Sequence, residues 1–170
     1  LRASEERNRL LVENVNESIA VVQDGSVRFA NQKTLEIGGY TMEEITSRPF
    51  MDLVHPDDRG RVAEYHGRRM RGEDVPSSYE LRTIARDGGI RWMELRGAVL
   101  EWEGRPATLA MMHDITERRE AEQSLRESEE RYRLLAENAS DVIWTMDLDL
   151  NYTYNSPSKL RQSAYTPEEF

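Results

Sequence analysis

The residues best suited to chemistry are few. His55-Pro56-Asp57-Asp58 sets an imidazole beside two carboxylates, the raw material of a cation site or an acid–base pair. Adjacent acids on a helix point in different directions, however, and do not converge on one ion. Proline at the first helical position and two acids at the positive end of the helix dipole make a helix start, which explains all of these residues without a metal. His66 sits one turn beyond Val62 and beside Tyr65, where an imidazole could ligate a haem iron; a half-buried or solvated histidine is the plainer reading. The chain has no cysteine, which excludes from this stretch disulfides, thiolate metal sites, cysteine nucleophiles and cysteinyl photo-adducts. No nucleophile–base pair or ligand cluster stands out, so no catalytic residue and no metal site is assigned, and an enzymatic output is expected outside this sequence.

The elements that would position these groups follow from periodicity and turn chemistry. Residues 1–16 carry Leu1, Ser4, Asn8, Leu11 and Val15 at helical spacing. Residues 18–31 hold two short β-prone runs around the hairpin signal Asp24-Gly25. Asn31 caps a short helix stopped by Gly38-Gly39, and Thr41-Met42-Glu43-Glu44 is a capping box opening a second. The helix begun at His55 runs to about Gly72. Three strands follow, over residues 77–86, 90–102 and 106–114, turned by Asp87-Gly88-Gly89 and Glu103-Gly104. The class is α+β: a five-stranded antiparallel sheet with short helices on one face, followed by a long connector helix.

In that helix Ala121, Leu125, Ser128, Tyr132, Leu135 and Ala139 recur at spacings of four and three, a coiled-coil seam with small and polar residues at several core places. The segment 125–138 also repeats residues 1–14, differing only at Ala3/Glu127, Asn8/Tyr132 and Val12/Ala136. The offset of 124 (Leu1 to Leu125) continues through Ile19/Ile143 and Asn31/Asn155. A repeat of that length matches a whole small domain rather than a solenoid unit. We therefore expect a connector or cap helix over 1–16, a complete domain over 17–116, a connector helix over 117–139 and the truncated start of a second domain over 140–170, the whole being part of a longer array.

The assembly resembles the PAS family with its C-terminal PAC portion. The resemblance is carried by Asn31, Gly38-Gly39-Tyr40-Thr41 with Glu43-Glu44, Val54-His55-Pro56-Asp57-Asp58-Arg59, Arg86-Asp87-Gly88, Arg91-Trp92 and Asp114-Ile115-Thr116-Glu117-Arg118. Ser128-Glu129-Glu130-Arg131-Tyr132-Arg133 is similar to the connector between tandem PAS domains of bacterial sensors. The resemblance implies a sensory, protein-interacting module upstream of a histidine kinase or diguanylate cyclase of a two-component or related system. An alternative is a cofactor-based gas or redox sensor using haem or another small molecule. It also implies that Asp114 and Thr116 fix a strand-to-helix signal junction, with Arg118 a partner for Asp114.

The pocket of such a domain would be lined by Val62, Tyr65, Tyr79, Leu81, Thr83, Met93, Leu95, Ala110 and Met112. The simple expectation is that they fill the core, methionine being a good gap-filler; the functional one is a small apolar ligand anchored by Thr83 and Tyr79. Haem is disfavoured because the axial position of oxygen-sensing relatives falls nearer Ala63 than His66. Flavin is disfavoured because Met93, Met112 and Thr83 stand where flavin-binding relatives use amide side chains. No cofactor is therefore expected. On the opposite face of the sheet Ile84, Trp92, Leu109 and Met111 need a cover. A second chain would supply it, or the helix bearing Leu11. With Leu125, Tyr132 and Leu135 these residues form the expected homodimer interface.

The net charge of −9 and pI of about 5.0 argue against a nucleic-acid partner. No run of about 18 apolar residues suggests a membrane span, and a cytoplasmic location is expected, the parent chain being free to carry an anchor.

Overall fold

The computed structural model describes residues 17–138 and 143–155. Leu11, the helix expected over 1–16 and much of the second repeat lie outside them. Strands β1 (Ser18–Gln23) and β2 (Ser26–Ala30) form a hairpin whose turn residues Asp24 and Gly25 both take positive φ, 52° and 76°, as a two-residue hairpin loop requires. Helix α1 (Gln32–Gly38) and helix α2 (Met42–Thr46) follow. The Thr41 hydroxyl accepts from Glu44 N while the Glu44 carboxylate accepts from Thr41 N, completing the capping box. Helix α3 spans Arg59–Met70. Strands β3 (Tyr79–Ile84), β4 (Ile90–Trp102) and β5 (Arg105–Asp114) make a meander, and helix α4 spans Thr116–Asn138.

The five strands are ordered β2-β1-β5-β4-β3, all antiparallel. Two differences from the sequence reading matter for the site. The segment from His55 opens as a 3-10 turn, Pro56–Asp58, before α3 begins, because the Asp58 side chain is drawn sideways onto β3. A further 3-10 turn at Phe50–Leu53, which periodicity did not reveal, brings Phe50 over the sheet.

Two apolar clusters make the core. One gathers Ala20, Val22, Val27, Ala30, Tyr40 and Ile45; the other gathers Val54, Val62, Leu81, Met93, Leu95 and Ala110. Phe50 and Met112 pack against both. Asn31, 0 % exposed, ties the first cluster together: its Oδ1 accepts from Ile19 N, Thr34 N and the Thr34 hydroxyl.

The chain parts into two compact units between Arg119 and Glu120. The second contains most of α4 and a hairpin, β6 (Trp144–Met146) and β7 (Tyr152–Asn155). Its turn is built on Asp147, whose Oδ1 accepts from Asp149 N and Asn151 N. Among the described residues no helix is long and apolar enough to cross a membrane.

Candidate functional site: a cavity over the sheet and its junction with the connector

The register of the sheet explains a cavity. Gly97 of β4 pairs with Ala110 of β5, Ala110 with Ala20 of β1, and Ala20 with Ala30 of β2. Cross-strand partners share a face, so four small residues lie in one row beneath the helices. Larger side chains flank the row: Tyr79, Leu95 and Met112 on one side, Val22, Val27 and Thr108 on the other. The helices bridge over it and leave a cavity of about 120 Å³.

Val62, Tyr79, Leu81, Thr83, Met93, Leu95, Ala110 and Met112 all line this space. Tyr65 does not; it meets the Tyr79 ring edge-on, centroids 4.9 Å apart. Ile84, assigned by alternation to the opposite face, also borders the cavity, and its carbonyl accepts from the Tyr40 hydroxyl at 3.2 Å.

The polar groups of the cavity include the Ser18 and Thr34 hydroxyls, bonded to each other at 2.8 Å, and a separate group around His66. His66 Nδ1 lies 3.2 Å from the Thr108 hydroxyl, and the imidazole packs against the Phe50 ring with centroids 5.1 Å apart. Burial, helped by the nearby Arg69 charge, pushes the His66 pKa below its ordinary value. Burial likewise raises the Tyr79 phenol, against the opposing pull of Arg69. Arg69 is 6 % exposed and was not singled out from the sequence, although Val62, His66 and Arg69 follow one another at helical spacing.

These groups can be tested against the cofactors raised above. No Asn or Gln lines the cavity, and the Thr83 hydroxyl is already turned to the Arg91 carbonyl at 3.4 Å, so the cavity offers a flavin ring no amide partner. A haem macrocycle is larger than the space, and the His66 ring is held between Thr108 and Phe50. Neither group fits. Among the described residues no cluster of three or more His, Asp or Glu side chains converges as a metal site.

His55-Pro56-Asp57-Asp58 is a strut. Asp58 Oδ2 accepts from Arg82 N at 2.8 Å and Arg82 Nε at 3.1 Å, and its Oδ1 accepts from Arg82 Nη2 at 2.9 Å. These bonds to Arg82 hold the Asp58 carboxyl below the usual carboxylate range. Asp57 meets the same guanidinium at 3.2 Å.

Arg82 continues to the other face of the sheet, where its guanidinium lies 5.6 Å from the Trp92 ring centroid, with Arg119 on the same ring at 4.6 Å. Arg119 and Arg118 both pair with Glu80, and Arg119 also lies in hydrogen-bond contact with it. Trp92 is thus covered by cations of its own chain, a cover the sequence reading did not foresee. Leu109 and Met111 are half-buried on that face. Leu125, Tyr132 and Leu135, by contrast, are 61 %, 70 % and 62 % exposed on α4.

At the junction Asp114 Oδ1 accepts from Thr116 N at 2.9 Å, the Thr116 hydroxyl accepts from Trp92 N at 2.9 Å, and Ile115 N donates to the Trp92 carbonyl at 2.9 Å. Ile115 is 3 % exposed. The next residue along β4, Met93, is 2 % exposed; it pairs with Leu81 on one side and Asp114 on the other. One side chain of the cavity wall therefore lies in register with the last residue of β5, two before the connector helix.

Comparison with known proteins agrees with this architecture. Residues 27–112 match the family model described as PAS fold. "Uncharacterized protein y4lL" of Sinorhizobium fredii is 29 % identical over 183 residues, covering 99 % of this chain and 21 % of that protein. The blue-light-activated histidine kinase of Brucella ovis is 37 % identical over 87 residues, covering 51 % of this chain and 17 % of the kinase. The chain thus spans about a fifth of the length of these relatives. Among solved structures, a sensory box histidine kinase/response regulator from Burkholderia thailandensis superposes with a TM-score of 0.56 at 28 % identity, over 76 % of this chain and 99 % of that one. A domain from Colwellia psychrerythraea gives a TM-score of 0.59 at 20 % identity, over 67 % and 98 %, a likeness of fold.

Proposed function

The chain belongs to the PAS family, and from that premise we propose that it is a sensory, signal-relay module of a larger bacterial signal-transduction protein, most simply a histidine kinase of a two-component system. It dimerises, and it passes a change in packing through the sheet into the connector helix, toward an output domain of the same chain on the cytoplasmic side. The hairpin of the second unit is the opening of a second PAS repeat. The module is not itself catalytic; catalysis belongs to the parent.

The observation that carries the reading is the position of Met93, in register between Leu81 in the cavity wall and Asp114, the last residue of β5, two before the connector helix. The connector's first residues grip the Trp92 backbone at both its N–H and its carbonyl. A displacement of β4 at the cavity thereby moves the root of α4. The exposed seam of Leu125, Tyr132 and Leu135, with small and polar residues between, suits a marginal two-helix association. Two registers or crossing angles of such a coil lie within a few kcal/mol of each other.

The blue-light activity named for the Brucella relative does not transfer. The chain has no cysteine, and the cavity offers a flavin no amide partner. Nor is a haem-based gas or redox sensor favoured, given the cavity's size and the His66 contacts.

The test is cross-linking. Single cysteines at Leu125, Tyr132 and Leu135, introduced separately, are expected to form inter-chain disulfides under mild oxidation. If none of the three does, the paired-connector reading fails.

A further inference from the structure

We propose that the cavity is a binding site for a small monocarboxylate with an apolar body, and that Arg69 holds its charge. Arg69 is 6 % exposed and lines the cavity, and its Nε is buried without any hydrogen-bond partner. Among the described residues no carboxylate forms an ion pair with it. Two other arginines of the same helix differ: Arg61 pairs with Asp58, and Arg68 with Glu64 and Glu73. A buried cation without a counter-charge is strongly disfavoured. The position of Arg69 in the last turn of α3 brings partial compensation from the helix dipole, which falls well short of the desolvation of a guanidinium.

The sheet is shaped to receive this side chain. A Cβ added to Gly97 would lie 2.6 Å from Arg69 Cζ and 2.8 Å from both Nε and Nη1. The guanidinium therefore rests on the bare backbone of β4, at the head of the Gly97–Ala110–Ala20–Ala30 row, whose Ala110 and Ala20 floor the cavity. Around it the groups are donors or neutral. Tyr79 lines the cavity with Arg69, and burial favours its phenol form; the His66 ring and the Thr108 hydroxyl lie there too, 3.2 Å apart. No acid lines the cavity. Elsewhere the wall is largely apolar, with Val62, Leu81, Met93 and Leu95 each less than a tenth exposed, and the remaining hydroxyls are engaged: Ser18 with Thr34, Tyr40 with the Ile84 carbonyl and Thr83 with the Arg91 carbonyl.

A guanidinium fork matches a carboxylate, and the apolar wall requires that the rest of the ligand carry no charge. The size follows from the volume: an engineered apolar cavity of about 150 Å³ holds benzene, so 120 Å³ takes a body of that order or slightly less. Benzoate and short fatty acids such as butyrate and hexanoate have this form. The inference goes beyond the relay reading, since binding is read at the cavity whether or not the connectors pair.

The experiment uses the whole chain at pH 7, with benzoate, hexanoate, neutral benzamide and sodium chloride as probes. Calorimetric titration gives affinities, and tyrosine and histidine NMR signals report the place of binding. Benzoate or hexanoate is expected to bind and to shift the Tyr79 and His66 resonances, with benzamide at least tenfold weaker. Arg69→Met, which keeps the length and removes the charge, is expected to lose roughly 10- to 100-fold in carboxylate affinity while remaining folded. Leu81→Trp, which fills the cavity and keeps Arg69, is expected to abolish binding as an independent check should Arg69→Met fail to fold. Equal binding of benzoate and benzamide would overturn the proposal. So would carboxylate binding unchanged in Arg69→Met, a response to chloride alone, or no binding by either carboxylate.

Discussion

The Thr116 hydroxyl accepts the backbone N–H of Trp92 across 2.9 Å, so the first residue of the connector completes the hydrogen bonding of a strand on which the cavity depends. Thr116 is 9 % exposed, and replacing it by valine leaves a partly buried N–H without its acceptor. Thr116→Val is expected to destabilise the first unit by about 1–2 kcal/mol, and Thr116→Ser to retain most of the stability. Urea denaturation followed by tryptophan fluorescence measures both. If valine and serine behave alike, the hydroxyl is not what holds the junction.

Asp58 joins the start of α3 to β3 through its bonds to Arg82, and those bonds hold its pKa below the ordinary 3.8. A carboxylate with a depressed folded-state pKa contributes stability that is fully present above the unfolded value and lost as pH falls through the folded one. Asp58→Asn is therefore expected to cost about 1.5–3 kcal/mol at neutral pH. The gap between variant and parent should close as the pH drops below 3.8. Denaturation across that range checks it; a gap that does not depend on pH would remove Asp58's charge from the account.

His66 carries the opposite chemistry and a related sign. Its pKa is lowered by burial first and by the Arg69 charge second, from an ordinary 6.5. The folded protein thus disfavours the imidazolium. Stability is full above 6.5 and declines as pH falls through the lower folded value. In NMR titration the His66 imidazole, assigned by its absence in His66→Asn, is expected to titrate below 6.5. The mildly acidic loss of thermal stability should be smaller in that variant than in the parent.

How much of this was legible in the sequence follows from which physics was local. The hairpin at Asp24-Gly25, the capping box at Thr41 and Glu44 and the strand alternation from Tyr79 to Met112 depend on neighbours one to four residues away, and they read directly. The 3-10 turn at Phe50–Leu53 has no period of its own to betray it. Asp58 looked like a helix-start acid because its partner, Arg82, is 24 residues away. Tyr65 and His66 are adjacent on α3, and spacing from Val62 serves either, so only packing could decide that His66 meets the cavity. Trp92 seemed to need a second chain because periodicity shows an apolar residue on an outer face without showing which long side chains fold over it; Arg82 and Arg119 do. Arg69 was hidden by its type, since an arginine near a helix C-terminus is ordinarily a solvated one.

That hidden residue gives the sharpest stability test. Gly97→Ala places a methyl within 2.6 Å of the Arg69 guanidinium carbon, which must then move toward the cavity it lines. Because the atoms that yield are the far end of a long side chain, the substitution is expected to cost about 1 kcal/mol, the low end of the range for overpacking. Arg69→Met removes both the unpaired charge and the planar group that occupies the space. Replacing a buried charge by an apolar side chain of similar length is often neutral or stabilising, by up to about 4 kcal/mol, so this variant is expected to be at least as stable as the parent in the absence of ligand. In the double variant the alanine should cost less than it does alone, because no planar guanidinium then has to be displaced from the Gly97 backbone. A double-mutant cycle by chemical denaturation reads the coupling. Additive effects would mean that Arg69 leaves the cavity freely when Gly97 is filled, and that the contact between them is incidental to the fold.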